Sequence, residues 1–106
     1  MEGFNAPEGI PTKEEVMAKL KEIGLTPETT LMVEKWLEDR RTKEKNGIDT
    51  AITNIELSDL YLAIRDYDEV ESCLSQGMYQ ARQEDSEEVY NLALKKLVEL
   101  DLERGI

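Results

Sequence analysis

The side chains able to carry chemistry are few in kind: 24 Asp and Glu, 13 Lys and Arg, four tyrosines, one cysteine and no histidine in 106 residues. Lack of histidine removes the commonest metal ligand and the only side chain that titrates near neutrality unaided. A single thiol, Cys73, leaves no disulfide framework and no cysteine-rich zinc site. With no imidazole to activate it, Cys73 reads as a small, half-buried side chain and not as a nucleophile. Asp66-Tyr67-Asp68 opens like a calcium loop, but Glu71 stands sixth, where the loop needs glycine, and Gly77 twelfth, where it needs glutamate. Acid pairs such as Asp66 with Glu69, or Glu84 with Glu88, share helix faces suited to acid–base work or to holding a divalent ion. In a chain this acidic such pairs arise unavoidably, and a solvated surface accounts for them. There is no glycine-rich phosphate loop, no Gly-x-Ser-x-Gly elbow and no Ser-x-x-Lys arrangement with its companions. The expectation is a protein that is not an enzyme and takes no metal and no cofactor.

Charge is the strongest remaining signal. Residues 1–48 hold ten acids and eight bases, a balance of −2, whereas residues 49–106 hold fourteen acids and five bases, a balance of −9. Two clusters dominate the second half: Asp66, Asp68, Glu69 and Glu71, then Glu84, Asp85, Glu87 and Glu88. Such a surface repels nucleic acid phosphates and anionic lipid and attracts basic protein grooves. The N-terminus has an acid at position 2 and no apolar run, and no stretch approaches the roughly 18 apolar residues of a membrane span. A cytoplasmic protein is expected.

These residues need elements to hold them, and the length suits one small domain. Residues 1–11 carry Gly3, Pro7, Gly9 and Pro11 without apolar period and read as a flexible leader to a single helical domain over 12–106. Thr12 and Glu15 form a capping box for a first helix with Val16, Leu20 and Ile23 inward, ended by Gly24, with Leu25 folding back on its last turn. Thr26-Pro27 starts a second, with Met32, Val33, Trp36 and Leu37 as its stripe and Trp36 as a core anchor, running through a charged tail to Asn46-Gly47. A third region extends from Thr50 or Thr53 to Gln83 with no proline; Leu60, Ile64, Tyr67, Leu74, Met78 and Ala81 keep one face in register. Asp85 or Ser86 caps a last helix with Val89, Leu92, Ala93, Leu97 and Leu100 inward, closed by Gly105. The expected fold is all-α: a small bundle of about four helices with short loops, its long third helix pairing with the C-terminal one.

Within residues 51–84, Leu57-Ser58-Asp59-Leu60-Tyr61, then Asp66-Tyr67-Asp68-Glu69-Val70, then Leu74 and Gly77, resemble one tetratricopeptide repeat. The resemblance implies a helical hairpin broken near Arg65–Asp68 and a protein-docking scaffold. Arg65 stands where the family usually has glycine and Arg82 where it often has proline, and no neighbouring segment repeats at 34 residues. Without glycine at 65 the residues themselves favour one continuous helix.

The functional expectation is an acidic helical binding protein whose partner is a protein with a basic surface, contacted through Asp66, Asp68, Glu69, Glu71, Glu84, Asp85, Glu87 and Glu88. A sharper form has the acids imitate nucleic acid in the basic channel of a nuclease or polymerase, as a phage or mobile-element inhibitor would. Tyr61, Tyr79 and Tyr90, beside the apolar stripes, are further contact candidates. The alternative is a structural or assembly subunit that homo-oligomerises through a coiled-coil-like seam of Leu60, Ile64, Tyr67, Leu74 and Met78.

Overall fold

The computed structural model describes residues 9–105; residues 1–8 of the expected leader lie outside that range. Five α-helices follow: α1 (Lys13–Ile23), α2 (Pro27–Lys43), α3 (Gly47–Ala63), α4 (Tyr67–Gln83) and α5 (Glu87–Arg104). None is long and apolar enough to cross a membrane.

Each helix starts where a side chain can take up an orphan backbone donor. Thr12 Oγ1 accepts from Glu15 N at 3.1 Å and Glu15 Oε1 accepts from Thr12 N at 2.9 Å, the expected reciprocal box. Thr26 and Thr29 do the same for α2, and the Thr29 hydroxyl also donates to Gly24 O at 2.7 Å. That bond ties the end of α1 to the start of α2, and Thr29 is fully buried as a result. Gly24, at φ 75°, stops α1, but Leu25 turns outward at 55% exposure and Ile23 at 39%, so neither joins the core as the sequence predicts.

The long third helix is two helices. Gly47, expected to stop α2, instead opens α3, whose N-cap is Asn46 (Asn46 Oδ1 accepts from Asp49 N at 2.9 Å). α3 then ends at Ala63 because Arg65 adopts left-handed backbone, φ 58°, without being glycine. Arg65 N donates to Leu62 O at 2.9 Å and Asp66 N to Tyr61 O at 3.1 Å, the paired bonds of a Schellman end. Asp66 at once caps α4, accepting from Glu69 N at 3.3 Å. The α4–α5 turn repeats the device twenty residues on: Asp85 has φ 55°, Asp85 N donates to Arg82 O at 3.1 Å, Ser86 N to Ala81 O at 2.8 Å, and Ser86 caps α5. The left-handed conformation costs about 1–2 kcal/mol for an ordinary residue. Folding back offsets that cost by burying the two halves of the seam on each other, which a straight helix would leave in water. Five helices therefore replace four, and it is α4, the second half of the expected helix, that pairs with α5.

α3 and α4 form the most extensive contact. Gly77 permits it: a Cβ there would lie 3.0 Å from Ile55 Cγ1 and 3.3 Å from the Ala51 carbonyl oxygen. Two cores result. Ala51, Ile55, Val70, Leu74, Ala81, Val89, Ala93 and Leu100 join α3, α4 and α5. Val16, Leu20, Val33, Trp36, Leu57, Leu60 and Cys73 join α1 and α2 to the other side of the α3–α4 pair. Trp36 is the anchor expected, 3% exposed, with the Arg40 guanidinium 5.3 Å over its ring. The domain spans 44 × 35 × 16 Å with a radius of gyration of 14.5 Å, against about 13 Å for a rounder domain of this length. It is a slab of helices laid side by side with α5 along one edge.

Candidate interaction surface

The two acidic clusters occupy opposite ends of α4, about 25 Å apart from the rise of a 17-residue helix. The first is partly spent on structure. Asp66 serves as N-cap, and Glu71 lies 3.6 Å from Arg104 Nη1. Around them Arg65 Nη1 donates to the Tyr67 hydroxyl at 3.3 Å, and that hydroxyl donates to Glu103 Oε2 at 3.1 Å. Asp68 and Glu69 remain exposed and outside any ion pair among the described residues.

The second cluster is intact. Glu84, Asp85, Glu87 and Glu88 all sit exposed on the α4–α5 turn, and none forms an ion pair among the described residues. Glu87 and Glu88 fall in the first turn of α5, where the helix dipole favours negative charge. Glu84 extends across to the start of α3, so close to Gly47 that no Cβ fits there without moving its carboxylate. The structure thus brings Glu84, Asp85, Glu87 and Glu88 together and keeps them a helix length from Asp68 and Glu69.

Between the two ends, α4 turns an uncharged polar face outward: Ser72, Ser75, Gln76 and Gln83 are exposed, with Tyr79 among them at 65%. Tyr61 and Tyr90, the other tyrosines proposed as contacts, are half-buried; Tyr61 lies between the two cores and Tyr90 accepts from Arg82 Nη2 at 2.9 Å. The seam residues Leu60 and Leu74 are 0% and 1% exposed, enclosed by the chain's own helices.

The sequence reading missed the outer side of α5. Leu92, expected inward, is 45% exposed, and Leu94, Val98 and Leu102 are exposed at 38%, 51% and 73%. Their i, i+4, i+8 spacing was available as a signal, but it competes with the denser inward set Val89, Ala93 and Leu100 on the same helix.

Inside the molecule, polar chemistry serves architecture. Arg41 Nη2 donates to Asn54 Oδ1 at 3.0 Å, and Asn54 Nδ2 donates to Gln80 Oε1 at 2.7 Å, a bridge from α2 through α3 to α4. Burial alone would raise the Glu44 carboxyl, but the Thr50 hydroxyl at 2.8 Å and the Arg41 guanidinium at 2.8 Å bring it below its ordinary range. Burial first, then the charge of Glu69, pushes the Cys73 thiol up to about 11, which keeps it protonated and unreactive at neutral pH. Among the described residues no three His, Cys, Asp or Glu side chains converge as a metal site would require. No protein-family model, curated protein or solved structure matches the chain. The functional reading rests on surface chemistry.

Proposed function

We propose that this chain is a non-catalytic binding module whose acidic α4–α5 hairpin docks a protein with a basic surface. The observation that carries it is the α4–α5 turn: four exposed carboxylates, Glu84, Asp85, Glu87 and Glu88, none with a cationic partner among the described residues. Acids elsewhere are mixed, with Asp59, Glu71 and Glu103 in ion pairs and Glu34, Asp68 and Glu69 outside them; what is local to this turn is a run of four unpaired carboxylates within five residues. Such a field raises the rate of encounter with a basic patch and weakens as salt shortens its reach. Protein docking is also what a tetratricopeptide-like hairpin over residues 51–84 would imply. A cytoplasmic setting goes with a lone thiol kept reduced. If the surface imitates nucleic acid, the partner's basic channel takes up the acidic turn in place of phosphates.

The test is affinity capture with the wild-type chain and with the combined variant Glu84→Gln, Asp85→Asn, Glu87→Gln and Glu88→Gln, at roughly 50 mM and 300 mM salt. A protein held by the wild type at low salt, and lost both at high salt and with the neutral variant, meets the expectation. Competition by double-stranded DNA for that protein identifies the mimic form. Capture unchanged by salt and by neutralisation would remove the reading.

A further inference from the structure

The last three helices obey a common register that leaves one face of α5 uncovered. They begin at residues 47, 67 and 87, are capped by Asn46, Asp66 and Ser86, and are joined by turns with left-handed residues at 65 and 85. α3 meets α4 through Gly47 (against Glu84), Ala51 (against Gly77) and Asn54 (to Gln80). Twenty residues on, α4 meets α5 through the corresponding positions. Tyr67 reaches Glu103 and lies under Arg104 at 5.6 Å, Glu71 reaches Arg104, and Leu74 and Met78 pack into the core shared with Val89, Ala93 and Leu97. Arg82 completes that face, donating to Tyr90.

Another twenty residues carry this face to Glu87, Asn91, Leu94, Val98 and Leu102, and all five are exposed. In stacked helical arrays each element contacts only its neighbours, and a face turned to water is polar. α5 instead presents three large apolar side chains at the positions where its predecessors hold the next helix.

We propose that the outer face of α5 docks an amphipathic, basic helix supplied by a partner protein, packed antiparallel to α5 as the next member of the α3–α4–α5 array. Leu94, Val98 and Leu102 would receive the apolar stripe of that helix, and Glu87, Glu88 and Asp101, which outnumber Lys95 along the rim, would receive its Lys and Arg. The charge part of this inference rests on the acidic-hairpin reading above; the apolar part does not. A second copy of the chain fits the face poorly. It would set a rim of three acids and one base against the same rim, a net repulsion. A basic helix relieves the same rim and gains both the apolar contact and the charge.

The test uses three synthetic 18-residue peptides titrated into the full chain: a Leu/Lys amphipathic helix, a Leu/Lys scramble of equal composition without an apolar stripe, and a Leu/Glu helix. The readouts are dissociation constants and backbone amide shifts. The Leu/Lys helix is expected to bind saturably with shifts centred on residues 91–102. The scramble and the Leu/Glu helix are expected to bind at least about tenfold more weakly. Val98→Glu, a half-exposed position whose variant should melt within a few degrees of wild type, is expected to weaken the Leu/Lys helix by a similar factor. Equal binding of helix and scramble, or no effect of Val98→Glu, overturns the inference and leaves the acidic-hairpin reading standing. Loss on Val98→Glu with full retention by the neutral-turn variant keeps the apolar docking and overturns the charge-based reading. A wild-type dimer in light scattering that Val98→Glu disperses assigns the face to a second copy and also overturns the inference.

Discussion

Lys96 of α5 donates to Asp59 Oδ1 of α3 at 3.1 Å, while the other oxygen of the same carboxylate accepts from Lys13 of α1 at 2.8 Å. One anion thereby holds both ends of the chain's helical sequence to the central helix. The three side chains are only 22–32% exposed, so the interaction is partly shielded from solvent. Asp59→Asn leaves two half-buried ammonium groups facing each other, and we expect a loss of about 1–2 kcal/mol, more than Lys13→Met or Lys96→Met alone. Urea melts of the three variants check the order; equal effects of all three would show that the two lysines act as one unit, since independent pairs make Asp59→Asn cost their sum.

Gly77 is the closest approach between α3 and α4. A methyl group there must displace Ile55 and presses on the Ala51 carbonyl, which is backbone and cannot yield cheaply. Overpacking of about 1–3 kcal/mol, reduced by the roughly 1 kcal/mol helix preference of Ala over Gly, gives a net loss near 1 kcal/mol for Gly77→Ala. Gly47→Ala meets only the mobile end of Glu84, and its denaturation midpoint should stay close to wild type.

Arg65 holds left-handed backbone without the freedom of glycine. Arg65→Gly is expected to gain about 0.5 kcal/mol, the relief of the turn less the added flexibility of the unfolded chain. Arg65→Val, β-branched, should lose more than about 1 kcal/mol at the same place. Asp85→Gly should change little, because Asp tolerates this conformation. A destabilised Arg65→Gly would show that its contacts to Tyr67 and Glu103 outweigh the strain.

Glu44 gives the domain a carboxylate held below its ordinary value of 4.5 by Thr50 and Arg41 against the opposing effect of burial. A carboxyl lowered in the folded state adds stability above its unfolded value and loses it as pH falls through the folded one. Glu44→Gln should therefore be less stable than wild type near neutrality, and the two should converge in acid. Melts between about pH 2 and pH 7 decide it; parallel curves would show that Glu44 is not the group responsible.

Cys73 has the opposite sense, its acid form being favoured on folding. Its contribution is complete below 9 and is lost as pH rises from there to about 11. Near neutrality a thiol reagent should label the native chain only at the rate of unfolding, and labelling should become rapid in denaturant. Fast native labelling would place the thiol at the surface.

The starts of α1, α2 and α5 and the end at Gly105 were legible in the sequence because capping is local chemistry, as with Thr12 and Glu15 or Thr26 before Pro27, whereas Asn46 read as a stop and Asp66 as helix interior. Trp36 was legible as core from its apolar neighbours. The break at Arg65 was indicated only by the tetratricopeptide resemblance and not by the residues' own preferences, because a left-handed arginine carries no residue signature and is selected by what α3 and α4 bury when they fold together. The same limit hid the surface of α5. Which of two apolar sets on one helix faces inward depends on where α4 lies, so Leu92 and Leu94 cannot be sorted from Val89 and Ala93 by spacing alone. The acidic residues were legible as charges, but whether they were paired was not, since Arg104 reaches Glu71 from 33 positions away in the chain while nothing described reaches Glu87 or Glu88.

The three-residue turns at 64–66 and 84–86 also set the order of events when the chain folds. Each helix of the α3–α5 series meets its main partner next in sequence, so closing either hairpin orders only a short loop and costs little chain entropy. Low sequence separation between contacts goes with folding in microseconds to milliseconds. The α3–α4 hairpin, with the most extensive packing behind a three-residue closure, is the expected nucleus, and α5 and then α1–α2 add to its two sides. Opening should run in reverse from the edges, making α5 the first of the three to exchange its amide hydrogens.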